Sequence, residues 1–346
     1  MRPVSYGFMV FSNLSVPKVV EQVKVGEEVG FDSAWLLDSQ LVGREVFVAL
    51  AASALATSRI RLGPGVTHTA TRHPSVIASG FASLAEVAPG RMNLAIGYGD
   101  SAIRGLGGKP VKLAQYREDF ELIRSLLAGK KVPYRTREIK LAWSDPQLTR
   151  QIPLYSVPGG PKGMELAGEL GEGAVLLCRE HELKENLQHL ADGAKRAGKA
   201  LKDLDIIWWV TTCINDDWDK VREYLAPRVA SNLRHSYYDY KRGIVREDEL
   251  PAPLELTRRI AEEYNFLEHA TAGAEHGKLL DSLPDDVFKR GLLAGSPREA
   301  GAIIRRVVDS YPEIRQVVLH IPVGTPRLSL IDILRTFAKD VKPLLT

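Results

Sequence analysis

Cysteine is scarce in this chain: Cys178 and Cys213 are the two in 346 residues. Both lie inside apolar runs and neither belongs to a metal-ligand spacing, which excludes a disulfide framework and a cysteine-built metal centre and leaves two buried, reduced thiols as the expectation. An excess of charge of one sign is missing too. With 46 Lys plus Arg against 43 Asp plus Glu, the formal net charge of +3 supplies no broad field for holding nucleic acid or an anionic membrane. No segment approaches the roughly 20 apolar residues of a membrane span. The stretch "MRPVSYGFMVFSNLSVPKVV" has one early arginine but neither the apolar core nor the small-residue cleavage site of a secretion signal. A cytoplasmic protein is expected, with no metal, no nucleic acid and no membrane among its partners. Low-complexity linkers and short tandem repeats are absent as well. "GYGDSAIRGLG" superficially suggests a nucleotide loop but lacks both the GxGxxG spacing and a GK[ST] ending.

What the chain does have is alternation. "VSYGFMVF" (4–11) reads as a strand and "PKVVEQVKVGEEVG" (17–30) as a helix, with Pro17 near its start and Gly30 at its stop. The unit repeats as 33–37 before 44–57, 60–66 before 74–87, and 92–97 before 113–129. After a looser stretch, 130–150, it resumes as 152–157 before 161–171, 173–178 before 182–198, and 205–214 before 217–230. A last strand, 315–323, precedes a helix over 328–345. Eight such pairs close most economically as a (β/α)8 TIM barrel, a single domain over 1–346 with an insertion before the last strand. That insertion, 231–290, holds "SNLRHSYYDYKRG" and "EEYNFLEHATAGAEHGKLLDSLP", whose length and polarity suit a lid or an interface, with an exposed polar helix or loop as the plain alternative.

In such a barrel the reacting groups sit where strands end and helices begin. The rim then carries Asp38, Ser39 and Gln40 after strand 2, Gly65, Val66, Thr67 and His68 after strand 3, Gly97, Tyr98, Gly99 and Asp100 after strand 4, and Gly159-Gly160-Pro161-Lys162-Gly163 after strand 5. Glycines there admit a flat ligand or a phosphate to the backbone, and the helix opening at Gly160 offers unpaired N–H groups to an anion. Ordinary turn glycines are the alternative at 97, 99, 159 and 160. Asp38 and Asp100 are either helix caps or site acids. His73 reads as a cap and Arg72 as a solvated residue, while His68 is the better placed histidine for a site. Trp208 and Trp209 alternate about strand 7, so one of them packs in the barrel or helix layer.

The motifs "GPGVTHTATRHPSVIASGFASLAEVAPGRMNLAIGYGDSA" (63–102), "GFDSAWLLDSQ" (30–40) and "IPLYSVPGGPKGMELAGELGEGAVLL" (152–177) together resemble the bacterial-luciferase-like flavin and deazaflavin oxidoreductases. Within them the likeness is to the branch containing methylenetetrahydromethanopterin reductase. It covers nearly the whole chain and fades over roughly 231–290. The resemblance implies a non-prolyl cis peptide at Gly65-Val66 that buttresses the middle ring of the cofactor, and a phosphate at the 159–163 turn. It also puts Asp100 where deazaflavin sugar-phosphate dehydrogenases carry a glutamate acid. One departure stands out: relatives have Asp-His after strand 2, whereas this chain has Asp38-Ser39, so a general base at 39 is missing.

The expected function is hydride transfer between coenzyme F-420, a deazaflavin, or FMN and a small organic substrate, by a homo-oligomeric enzyme. Asp38, Asp100 and His68 are the candidate catalytic groups. Asp38, Ser39, Gly65, Val66, Thr67, Gly97, Tyr98, Gly99 and 159–163 are the candidate cofactor contacts. Arg234, His235 and Tyr238 would then act from the lid. Two alternatives stand beside this. One is a two-component FMN monooxygenase fed by a separate flavin reductase, in which Arg234, His235, Tyr237, Tyr238 and Tyr240 close the site over the reduced flavin. The other is a flavin-binding protein without turnover.

Overall fold

The computed structural model describes residues 4–11, 13–263, 279–321 and 327–345. Residues 264–278 of the expected insertion, and 322–323 of the expected last strand, lie outside the described residues.

The strands are β1 (Ser5–Val10), β2 (Ser33–Leu36), β3 (Arg61–Pro64), β4 (Thr67–His68) and β5 (Leu94–Gly97), then β6 (Val132–Tyr134) and β7 (Arg137–Ile139). β8 (Leu154–Ser156), β9 (Gly173–Leu177), β10 (Asp205–Ile214), β11 (Leu293–Gly295) and β12 (Ile314–His320) follow. One sheet runs β3-β2-β1-β12-β10-β9-β8-β5-β4, with β11 added on β10. The two ends of that path, β3 and β4, are consecutive pieces of one segment, and Leu62 bridges Met92 in parallel, so the sheet is nearly closed. This is the TIM barrel expected from the alternation, with the third expected strand split in two at Gly65-Val66. β6 and β7 form a separate antiparallel hairpin inside the stretch read as loose.

The chain divides into two compact units. The first, Met1–Trp209 with Val308–Leu319, contains the barrel strands up to the middle of β10. Its interior is packed with Met9, Trp35, Ala95, Tyr155, Val175, Ile207, Trp209 and Val318. Period-two alternation turns one of each adjacent pair inward. Trp209 thus meets Trp35 edge-on at 5.5 Å inside, while the Trp208 indole donates to the Cys178 carbonyl at 3.0 Å.

The second unit, Val210–Val307 with His320–Thr346, holds the end of β10, β11, and the helices Trp218–Lys241, Leu254–Glu263 and Leu330–Thr336. Its first helix corrects the sequence reading. It was expected to stop at 230, yet it continues through Pro227 to Lys241, so Arg234, His235, Tyr237, Tyr238 and Tyr240 lie on a helix and not on a loop. Val221, Tyr224, Leu225, Val229, Ala230 and Leu233 are buried along it. Burial of that stripe outweighs the hydrogen bond lost at an internal proline. No helix among the described residues is long and apolar enough to cross a membrane.

Candidate active site

The Gly65-Val66 peptide is cis, where the resemblance placed it. Gly65 donates its N–H to the Leu36 carbonyl at 2.6 Å, tying the bulge to β2. A Cβ on Gly65 would fall 2.9 Å from the Trp209 ring and 3.2 Å from Trp35 Cβ, and one on Gly97 would fall 2.7 Å from Val66 Cγ2. Close packing over the aromatic interior therefore accounts for both glycines before any ligand is invoked.

Gly159 and Gly160 differ: a Cβ on either meets nothing within 4 Å. Gly159 is the N-cap of the helix Gly160–Leu170, without a side-chain cap and with proline in its first turn. The N–H groups of Gly160 and Lys162 fall in the first turn, where a helix offers no intrahelical acceptor. The Tyr98 hydroxyl lies 3.2 Å from the position a Gly163 Cβ would take. It is buried and has no hydrogen-bond partner among the described residues. Burial pushes it up to about 12, so at neutral pH it keeps its proton and remains a donor. Its ring leans on Tyr116, with centroids 4.3 Å apart, and the Tyr116 hydroxyl donates to the Ile96 carbonyl at 2.7 Å.

The acids and bases fall into distinct places. Asp38 Oδ2 accepts from Thr67 Oγ1 at 2.7 Å and from Arg72 at 2.6 Å. Arg72 also pairs with Glu45 and lies 5.3 Å over the Phe47 ring. Glu45 caps the helix Val46–Ala56 by accepting from the Phe47 N–H at 2.6 Å and the Val48 N–H at 3.2 Å. Asp38 is thus a buried, charge-compensated anchor, and Arg72 is not the solvated residue the sequence allowed. Sequence reasoning missed the roles of Arg72 and Glu45. The available signal was an acid following β2 and a base following the next strand of a parallel sheet, which places the two charges side by side.

His68 is 1% exposed, and neither ring nitrogen has a hydrogen-bond partner among the described residues. Burial, opposed by Asp38 and reinforced by Arg72, holds its imidazole below the ordinary value of 6.5. His73, in contrast, caps the helix Pro74–Val87 and meets the Tyr134 hydroxyl at 2.6 Å. Ser39 is buried in a turn, its carbonyl accepting from the Gly43 N–H at 2.8 Å. Asp100 is exposed, opens the short helix Asp100–Arg104 and pairs with Arg104. Arg234 lies over the Tyr238 ring at 5.3 Å within the long helix of the second unit. The first unit therefore gathers Asp38, Thr67 and Arg72 into one network, sets His68 and Tyr98 apart as unpartnered polar groups, and leaves Asp100 toward solvent.

Residues 8–313 match the luciferase-like monooxygenase family. The chain belongs to that family. Among its relatives, the 5,10-methylenetetrahydromethanopterin reductase of Archaeoglobus fulgidus is 28% identical over 351 residues, 99% of this chain and 100% of the relative. The F-420-dependent glucose-6-phosphate dehydrogenase of Beutenbergia cavernae is 32% identical over 225 residues, 59% of this chain and 66% of the relative. The structure of the coenzyme F-420-dependent tetrahydromethanopterin reductase from Methanopyrus kandleri matches with a TM-score of 0.80 at 25% identity, over 99% of both chains. This luciferase-like chain is accordingly an enzyme on a TIM-barrel frame.

Proposed function

We propose that the protein is a coenzyme F-420-dependent oxidoreductase that moves a hydride between the deazaflavin and a small organic substrate. The observation that carries this is the open Gly159-Gly160 turn at a helix start beside the unpartnered, buried Tyr98 hydroxyl. Free backbone donors and an orphaned hydroxyl fit a phosphorylated ligand. The names of the reductase and dehydrogenase relatives support the deazaflavin over FMN.

The N–H groups of Gly160 and Lys162, with the Lys162 side chain, would hold the phosphate close to Gly163, and Tyr98 would donate to the same ligand. The Gly65-Val66 bulge, stiffened from below by Trp35 and Trp209, would support the ring. Asp38, Ser39, Thr67, Gly97 and Gly99 would line its polar edge, with Asp38 fixed in place by its ion pair to Arg72. When bound, the deazaflavin supplies a carbon that accepts and returns hydride, while the chain supplies orientation and fixed charge.

Equilibrium titration of the purified protein with coenzyme F-420 and with FMN tests the reading. Saturable binding of F-420 at micromolar concentration, tighter than FMN, is expected. Tighter FMN binding would replace the deazaflavin by a flavin, and binding of neither would remove the proposal.

A further inference from the structure

Residues 67–72 carry both side chains that hold Asp38, yet the strand among them, β4, is two residues long and pairs Thr67 with Ile96 and His68 with Gly97. So short a ladder fixes the segment weakly, and side chains must supply the rest. Asp119 does so from the helix Leu113–Leu127. It is buried and uses both carboxylate oxygens: Oδ2 accepts from Thr69 Oγ1 at 2.5 Å and Oδ1 from Gln115 Nε2 at 2.9 Å. Both donors are neutral, whereas Asp38 has the Arg72 cation beside it. Residue 119 falls on the buried stripe of its helix with Tyr116, Phe120 and Ile123, where an apolar side chain would pack without the solvation cost of a carboxylate. The acid is there for what it holds.

The same helix grips the other end of the proposed cofactor site. Tyr116, one turn before Asp119 on the same face, donates to the Ile96 carbonyl at 2.7 Å and leans on the Tyr98 ring. Arg117 pairs with Glu169, and Arg124 Nη1 donates to the Leu170 carbonyl at 2.9 Å, both on the helix Gly160–Leu170. A Cβ on Gly99 would come 3.0 Å from the His68 ring and 3.1 Å from Ala70 Cβ, so the loop that carries Tyr98 also packs onto the segment that Asp119 holds. One helix therefore joins 67–72 to Tyr98 and to the helix that opens after Gly159.

We infer that Asp119 is a positioning residue that sets the span between the ring seat at 65–67 and the phosphate grip at Tyr98 and Gly159-Gly160. This rests on the deazaflavin reading above. A ligand that reaches both ends gains from its second contact only while the two ends are held at the matching separation. Without the Asp119–Thr69 bond, the segment 67–72 is free to shift against the helix. A ligand bearing ring and phosphate then loses affinity, whereas the ring system lacking phosphate, which uses one end, binds as before.

The test combines titration with hydrogen exchange. Wild type, Asp119→Ala, Asp119→Asn and Thr69→Val are titrated with F-420 and with the ring system lacking phosphate, and each ligand-free protein is followed by hydrogen exchange read by mass spectrometry. Asp119→Ala and Thr69→Val should each weaken F-420 by about tenfold and the ring system by less than about twofold. Asp119→Asn, whose amide oxygen still accepts from Thr69, should stay within about threefold of wild type for both ligands. Peptides covering 67–72 should exchange about tenfold faster in Asp119→Ala and Thr69→Val and near the wild-type rate in Asp119→Asn. Equal losses for the two ligands, no loss in the folded variants, unchanged exchange over 67–72, or an asparagine variant as weak as the alanine one would each overturn the inference. Should Asp119→Ala fail to fold, Thr69→Val and Asp119→Asn carry the same comparison. If wild type binds no F-420 at all, the deazaflavin reading fails and takes this inference with it; if it binds F-420 and only the variant results fail, the cofactor reading stands.

Discussion

Arg72 shows at the scale of one residue how the site is held. It joins the carboxylate after β2 to the cap of the next helix, and its side chain is 13% exposed against 5% for Asp38. Replacing one partner of such a pair leaves an uncompensated charge, whereas replacing both does not. Arg72→Met should therefore cost about 3 kcal/mol in urea denaturation, and the double change Arg72→Met with Asp38→Asn should cost clearly less. Equal losses would show that Asp38 is not a buried charge needing compensation. The Gly159-Gly160 turn, proposed to hold the phosphate, makes a second residue-scale case. Gly160 has φ +67, so any side chain there is strained whatever the ligand, but Gly159 has φ −126 and open space around it. Gly159→Asp should thus weaken F-420 by at least about tenfold, roughly 1.4 kcal/mol, and leave the fold intact. The ring system lacking phosphate should bind nearly as before. Parallel losses for both ligands in titration would detach the phosphate from this turn.

At the scale of elements, the helix that opens after the Gly159-Gly160 turn is fixed from behind by the helix Leu183–Arg196. A Cβ on Gly193 would fall 1.9 Å from the Glu165 carbonyl oxygen, and one on Gly168 would fall 2.2 Å from that of Leu190. The backbones touch there, and Arg196 adds bonds of 2.7 Å to both Glu165 and Glu169. Those ion pairs are partly exposed and contribute little, so the glycines set the helix separation. Gly193→Ala should force the helices apart at about 2 kcal/mol, within the usual range for overpacking. Because the turn at 159–163 moves with its helix, F-420 affinity should drop as well. Unaltered thermal stability and unaltered affinity would show that the crossing tolerates a methyl group.

For the whole molecule, the barrel interior and the Gly65-Val66 bulge rest on the same side chains. Trp209 and Trp35 fill the interior, and Gly65 rests directly on the Trp209 ring. Truncating a fully packed tryptophan costs about 3–5 kcal/mol. Trp209→Ala is expected to lie in that range by urea denaturation, and the variant, while still folded, should bind F-420 more weakly because the bulge has lost its floor. Loss of stability with affinity unchanged would separate the interior from ring support.

Sequence alone determined the strand and helix alternation, because side-chain periodicity and glycine or proline punctuation are local properties, readable in "IRLGPGV" or "MNLAIG" without any partner. It also determined the rim: residues that follow strands fall at one end of a parallel barrel whatever fills the interior. Its limits were equally physical. The short hairpin β6–β7 and the three-residue β11 carry too few residues to show a period, and the helix through Pro227 persists because burial overrides a local breaker. Gly65 and Gly97 looked like openings for a ligand, yet contacts with Trp209 and Val66 require them, while Gly159 and Gly160 are open in fact. The Asp38–Thr67–Arg72–Glu45 network and the unpartnered state of His68 and Tyr98 were decided only by tertiary structure. Residues 27 to 34 positions apart meet there through the register of neighbouring parallel strands, and whether a buried polar atom finds a partner is a property of three-dimensional packing that no local pattern encodes.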